Sequence, residues 1–199
     1  MEAVRHKVFV SYHHGNDQEY ANQLRDFYGR TDTIIDRSLP EEINSTDNDY
    51  ILSQIRQKHL KDSTVTIVLI GQQTWARKWV DWEIYSSLRP YENRTVNGLL
   101  GLLLPNADIN KLPPRFAANY KLDDTKTKQI GYALLITWDM ISPPPLWQLL
   151  PDGPIVQEKR KTLSEWVEYA FNRRSFKDII DNSLPRYINN KPINSFTWW

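Results

Sequence analysis

Apolar and polar positions fall along this chain in short blocks whose period switches between two and about three and a half. Val8-Phe9-Val10 is a β-branched and aromatic run that reads as a buried strand. The polar stretch from Ser11 to Asp17 reads as a loop. From Gln18 to Tyr28, the positions of Tyr20, Leu24, Phe27 and Tyr28 recur at helical spacing, and Gly29 follows as a C-terminal stop. Thr33-Ile34-Ile35-Asp36 predicts a brief strand near a sheet edge. Ser45 or Thr46 is placed to cap a helix with Tyr50, Ile51, Ile55 and His59 on one face. Thr64-Val65-Thr66-Ile67-Val68-Leu69-Ile70 is apolar on both faces, as a central parallel strand requires. A helix follows over about 76–88, ended by Pro90. Residues 96–104 and 131–137 predict two further strands. Residues 162–172 predict a helix with Leu163, Trp166, Val167 and Ala170 on its apolar side.

Strands alternating with helices in this way predict a three-layer α/β domain with a mostly parallel sheet of about five strands, in a flavodoxin-like doubly wound order. Residues 1–140 are assigned to that domain. Residues 141–199 form a C-terminal extension whose closing helix is expected to pack on it. The prolines from Pro143 to Pro154 read as a stiff turn in preference to a recognition strip. The terminal Trp198-Trp199 pair is suited to sealing a groove or meeting another subunit.

Composition narrows the chemistry. A net charge of +1 gives no bulk attraction to nucleic acid or acidic membranes, so neither is expected as a partner. With no cysteine there can be no disulfide, thiolate metal site or thiol nucleophile. Seven glycines are too few to draw a phosphate cradle, and no P-loop, HExxH or dinucleotide fingerprint is present. His13 and His14 are adjacent, so on a strand they would face opposite ways, and no metal site is expected. The first residues lack the apolar core of a signal peptide, and no stretch is long enough to span a bilayer, so a cytoplasmic location is expected.

In a doubly wound sheet, ligands bind beyond the carboxyl ends of the strands. Those positions hold Ser11, Tyr12, His13 and His14 after the first strand, and Asp36 after the second. Gly71, Gln72, Gln73 and Thr74 follow the third, with Trp75, Trp79 and Glu83 entering the next helix. Ser11 and Asp36 could equally cap local backbone. Glu83 lies in the first half of its helix, where the helix field favours an ionised carboxylate. Such a group can stabilise the ribosyl cation formed when a C–N glycosidic bond breaks. The competing reading pairs Glu83 with Arg77, Lys78 or Arg89 on a solvated face.

At these residues the sequence resembles a TIR domain, most closely the TIR-like proteins of the Thoeris anti-phage defence family. The first block is Val8-Phe9-Val10-Ser11-Tyr12-His13-His14 with Asp17, and the second is Ile35-Asp36-Arg37-Ser38-Leu39. The third runs from Ser63 to Gly71 and continues through Thr74, Trp79-Val80 and Glu83-Ile84, where Trp79-Val80-Asp81-Trp82-Glu83 fits a Trp-x-x-x-Glu pattern. Pro113-Pro114-Arg115 with Asn119 resembles a further block. The resemblance covers roughly the first two-thirds of the chain. It implies a TIR-like fold, with NAD⁺ as substrate rather than bound cofactor and Glu83 as the catalytic residue. It also implies Ser11, Tyr12, His13 and Asp36 as nucleotide contacts, with Trp79 stacking or packing. The implied product is a cyclic or otherwise modified ADP-ribose that activates a separate effector protein. Self-association through TIR surfaces and low basal activity are implied as well. Two alternatives share the fold: a non-catalytic TIR adaptor, and a nucleoside deoxyribosyltransferase-like enzyme with Glu83 as nucleophile.

Overall fold

A computed structural model describes residues 6–28, 34–36, 45, 47–141 and 161–193. Among these are five strands, β1 (His6–Ser11), β2 (Ile34–Asp36), β3 (Val65–Ile70), β4 (Gly98–Leu103) and β5 (Leu134–Thr137). They form one sheet in the order β2-β1-β3-β4-β5, and every pairing is parallel. The expected architecture is therefore present, with β3 at the centre and β2 at an edge. The proline segment at 143–154 and Trp198-Trp199 lie outside the described residues.

Each face of the sheet carries its own apolar layer, because alternate strand residues point opposite ways. Val8 and Val10 of β1, Ile67 and Leu69 of β3, and Leu100 and Leu102 of β4 meet helices α1 (His14–Tyr28) and α5 (Leu163–Asn172) through Leu24, Leu163, Val167 and Ala170. On the other face Val68, Ile70 and Leu99 meet α3 (Lys78–Ser87) and α4 (Pro114–Asn119) through Val80, Ile84 and Phe116. Phe9 packs there with Trp82 and with Ile51 and Leu52 of α2 (Asn48–Gln54). Helix α5 presses so closely on β4 that a Cβ at Gly98 would stand 2.1 Å from the Ala170 carbonyl oxygen.

Several boundaries differ from expectation for local reasons. Helix α1 begins at His14, four residues early, because the His13 carbonyl accepts from the N–H groups of Asn16 and Asp17. A polar first turn carries no hydrophobic period and so reads as loop. The cap of α2 is Asp47, whose Oδ1 accepts from the N–H groups of Asp49 and Tyr50; Ser45 instead accepts from the Asp47 N–H. The chain then winds into a π-helical turn at Ile55–His59. Helix α5 is held at its start by a capping box between Thr162 and Glu165.

Candidate active site

The order β2-β1-β3 places a topological switch between β1 and β3, where successive connections leave in opposite directions and open a crevice at the carboxyl edge. Ser11 is the last residue of β1 and is buried. It follows Phe9 by two positions and so faces α3. There its Oγ donates to Glu83 Oε2 at 2.6 Å. Protein crowds Glu83 on most sides while part of its surface stays open to solvent. Burial pushes its carboxyl up to about 8, against the opposing pull of the Ser11 hydrogen bond. The expectation of an ionised group maintained by the helix field is thus reversed. Glu83 sits in the middle of α3, beyond the first turn where that field acts, and desolvation dominates. A group enclosed in this way is also not on a solvated face.

The neighbouring wall comes from the start of α1 and the end of β3. Asp17 is buried, and its Oδ2 accepts from Thr74 Oγ1 at 3.1 Å while that hydroxyl receives the Gly71 N–H at 2.8 Å. A Cβ at Gly71 would stand 2.2 Å from Asp17 Oδ1, so only glycine lets the β3 end approach α1 this closely. Burial raises the Asp17 carboxyl, opposed by the hydrogen bonds from Thr74 and the His13 backbone and by the charge of Arg77. Burial also lowers His13 to about 4, and the Arg77 and His14 charges add to this, leaving a neutral imidazole at neutral pH. Its Nδ1 is buried without a hydrogen-bond partner.

The remaining candidates are dispersed. Tyr12 turns to the opposite face of the sheet from Ser11: it is buried in the α1–α5 layer, stacks on His14 at 4.3 Å and donates to Gln18 Oε1. Asp36 ends β2 with its backbone opposite Val8. Trp79 is half-buried against the Phe9–Trp82 cluster, its ring 6.2 Å from that of Trp82. Beside these candidates the structure also gathers Asp17, Thr74 and Arg77 at the switch. The signal for them was position alone, since each lies within a few residues of a strand end at the switch.

Helix α3 is held from its outer side by residues 181–191. Arg115, which opens α4 with Pro114, is buried and forms a two-pronged ion pair with Asp81, Nε to Oδ1 at 2.9 Å and Nη2 to Oδ2 at 3.3 Å. The same guanidinium donates to the carbonyls of Leu184 and Pro185, and Asp81 also accepts the Tyr187 N–H. Trp82 Nε1 donates to the Tyr187 carbonyl at 2.7 Å, and the Lys191 N–H reaches the Ala76 carbonyl. The tail whose sequence carried no motif thus fixes the helix that carries Glu83.

The family model described as Thoeris protein ThsB, TIR-like domain, matches residues 9–108. The chain belongs to this ThsB TIR-like family. The ThsB match runs from β1 past β4 and contains Ser11, Asp36, Trp79 and Glu83, but not Arg115, α5 or the tail that clamps α3. The block at Pro113-Pro114-Arg115 and Asn119 therefore lies beyond it. Among solved structures, the chain is similar to the TIR domains of the activated Roq1 resistosome directly recognizing the pathogen effector XopQ, at 11% identity and a TM-score of 0.36. That similarity covers 50% of this chain and 58% of the other. No curated protein matches. Among the described residues of this ThsB-family chain, no helix is long and apolar enough to cross a membrane.

Proposed function

We propose that this protein cleaves the nicotinamide–ribose bond of NAD⁺, with Glu83 as the carboxylate that stabilises the ribosyl cation. The reading is carried by the 2.6 Å contact between Ser11 Oγ and Glu83 Oε2 at the switch point of a ThsB-family domain. Nicotinamide departs as a neutral amine, so the reaction needs no general acid. It needs negative charge beneath the anomeric carbon as positive charge spreads onto the ribose. In the free protein Glu83 holds its proton at neutral pH. The cationic nicotinamide ring favours the ionised form on entry, so substrate binding itself drives the loss of that proton. Ser11 then holds one carboxylate oxygen by a charge-assisted hydrogen bond and orients the group. Capture of the ribosyl cation by water gives ADP-ribose, and capture by a nucleophile of the same molecule gives a cyclic product. Such a product is suited to act as a signal to a separate effector in anti-phage defence. A site primed only by substrate also accords with low basal activity and activation on self-association.

The test is nicotinamide release from NAD⁺ at high protein concentration, wild type beside Glu83→Gln. Release by the wild type alone is the expected result, with the second product peak identifying the signal. Equal turnover by a folded Glu83→Gln protein would exclude the role given to Glu83.

A further inference from the structure

A second site lies on the neighbouring stripe of α3. Trp82 and Tyr85 of α3 and Arg89 just beyond its end recur at helical spacing, one position along from the Glu83 stripe. Together with Asn48 at the start of α2 and residues 184–188 of the tail, they line a pocket of about 420 Å³ that is open to solvent on one side. That volume suits a ligand the size of a small nucleotide.

The pocket is unusually cationic for a chain of near-zero net charge. The Arg89 guanidinium lies 3.5 Å from the Tyr85 ring centroid, and that of Arg186 lies 5.2 Å from both the Trp82 and Tyr85 rings. These cation–π contacts fix the two arginines without neutralising them. Arg115 stands 5.1 Å from the same Tyr85 ring, but its charge is answered by Asp81. Among the described residues, no carboxylate pairs with Arg56, Arg89 or Arg186. Arg186 Nη1 is buried without a hydrogen-bond partner, while Arg89 donates from Nη1 and Nη2 to the Tyr85 and Asn182 carbonyls, which hold it in place and leave its charge unanswered. Burial draws Arg89 below its ordinary range, and the charges of Arg115, Arg56 and Arg186 draw it further. Buried donors left unmade are costly, and like charges held together are costly as well. A ligand that brings negative charge and several acceptor oxygens relieves both.

We infer that this pocket binds a small phosphorylated ligand of nucleotide size, its phosphate oxygens accepting from Arg89 and Arg186 over the aromatic floor of Trp82 and Tyr85. Guanidinium groups match phosphate in charge and in paired geometry, and the rings beneath them hold both groups in place. The site is separate from the role given to Glu83 and stands whether or not that role does.

The experiment is isothermal titration of the full chain with ADP, pyrophosphate and adenosine. Wild type is compared with Arg186→Gln and with Ile188→Glu, and folding is checked by circular dichroism. Ile188 lines the pocket yet is 81% exposed, so the added carboxylate repels an anion without disturbing the core. ADP is expected to bind the wild type, with affinity lowered about tenfold or more in each variant, as the loss of a charge-assisted contact implies. Pyrophosphate binding as tightly as ADP would assign the site to the phosphate groups alone, and tighter ADP would assign it to a nucleotide. Binding of adenosine alone, no binding of ADP or pyrophosphate, or binding unchanged in the folded Ile188→Glu protein overturns the inference.

Discussion

The Ser11 hydroxyl donates to Glu83 Oε2 across 2.6 Å, joining the last residue of β1 to the middle of α3. That contact ties the proton affinity of Glu83 to the sheet. Because the hydrogen bond lowers a carboxyl that burial has raised to about 8, Ser11→Ala should raise it further.

The pH dependence of turnover follows. Ionised Glu83 is required, so kcat/KM, which reports the free enzyme, is expected to rise with pH to a plateau beyond about 8. In kcat the midpoint should lie lower, because the bound cationic ring favours the carboxylate. Ser11→Ala should move the kcat/KM midpoint to higher pH. A wild-type profile flat from pH 6 to 9 would remove Glu83 as the titrating group.

Stability should respond to the same titration. Glu83 has an ordinary value of 4.5 in the unfolded chain and about 8 when folded, so the folded state binds the extra proton between those values. The contribution of neutral Glu83 is full below about pH 4.5 and is lost as pH rises through about 8. Glu83→Gln cannot ionise. Its melting temperature is expected to match the wild type near pH 4.5 and to exceed it by a margin that widens up to about pH 8 and then holds. The comparison requires only thermal unfolding at several pH values.

Arg115→Leu is expected to destabilise the protein by about 3–5 kcal/mol, since it leaves Asp81 buried and charged. Denaturant unfolding measures the loss. The Leu184 and Pro185 carbonyls also lose their donor, so the segment 181–191 should become more sensitive to limited proteolysis. Arg115→Lys should not restore it, because an ammonium cannot span both Asp81 oxygens and two carbonyls.

Gly71→Ala should cost about 1–3 kcal/mol, because its Cβ meets the Asp17 carboxylate at 2.2 Å. In the Asp17→Ser background the cost should shrink, since the shorter side chain withdraws. A double-mutant cycle by chemical denaturation reads the coupling, and strict additivity would show that the close approach is not the cause.

The fold was legible in the chain because its signals are local. Ile67, Leu69 and Leu100 belong to apolar runs that have only one use in a parallel sheet, and Leu163, Val167 and Ala170 keep a helical period. Glu83 could be proposed from its place after a strand and from family resemblance. The first turn of α1 and the Asp47 cap were not legible, since polar residues carry no period and several neighbouring oxygens compete to cap.

What the sequence by itself determined is the order of elements, their apolar faces and the residue types at each strand end, all of which depend on neighbours within a few positions. Tertiary structure decided what those strand ends do. Pleating sends Ser11 toward Glu83 and Tyr12 to the opposite layer, although the two are adjacent in the chain. Burial, which depends on atoms from distant segments, made Glu83 a proton-holding acid where the helix alone would have left it ionised. Packing likewise brought Arg186 beside Arg89, and Arg115 onto Asp81, over separations no local pattern encodes.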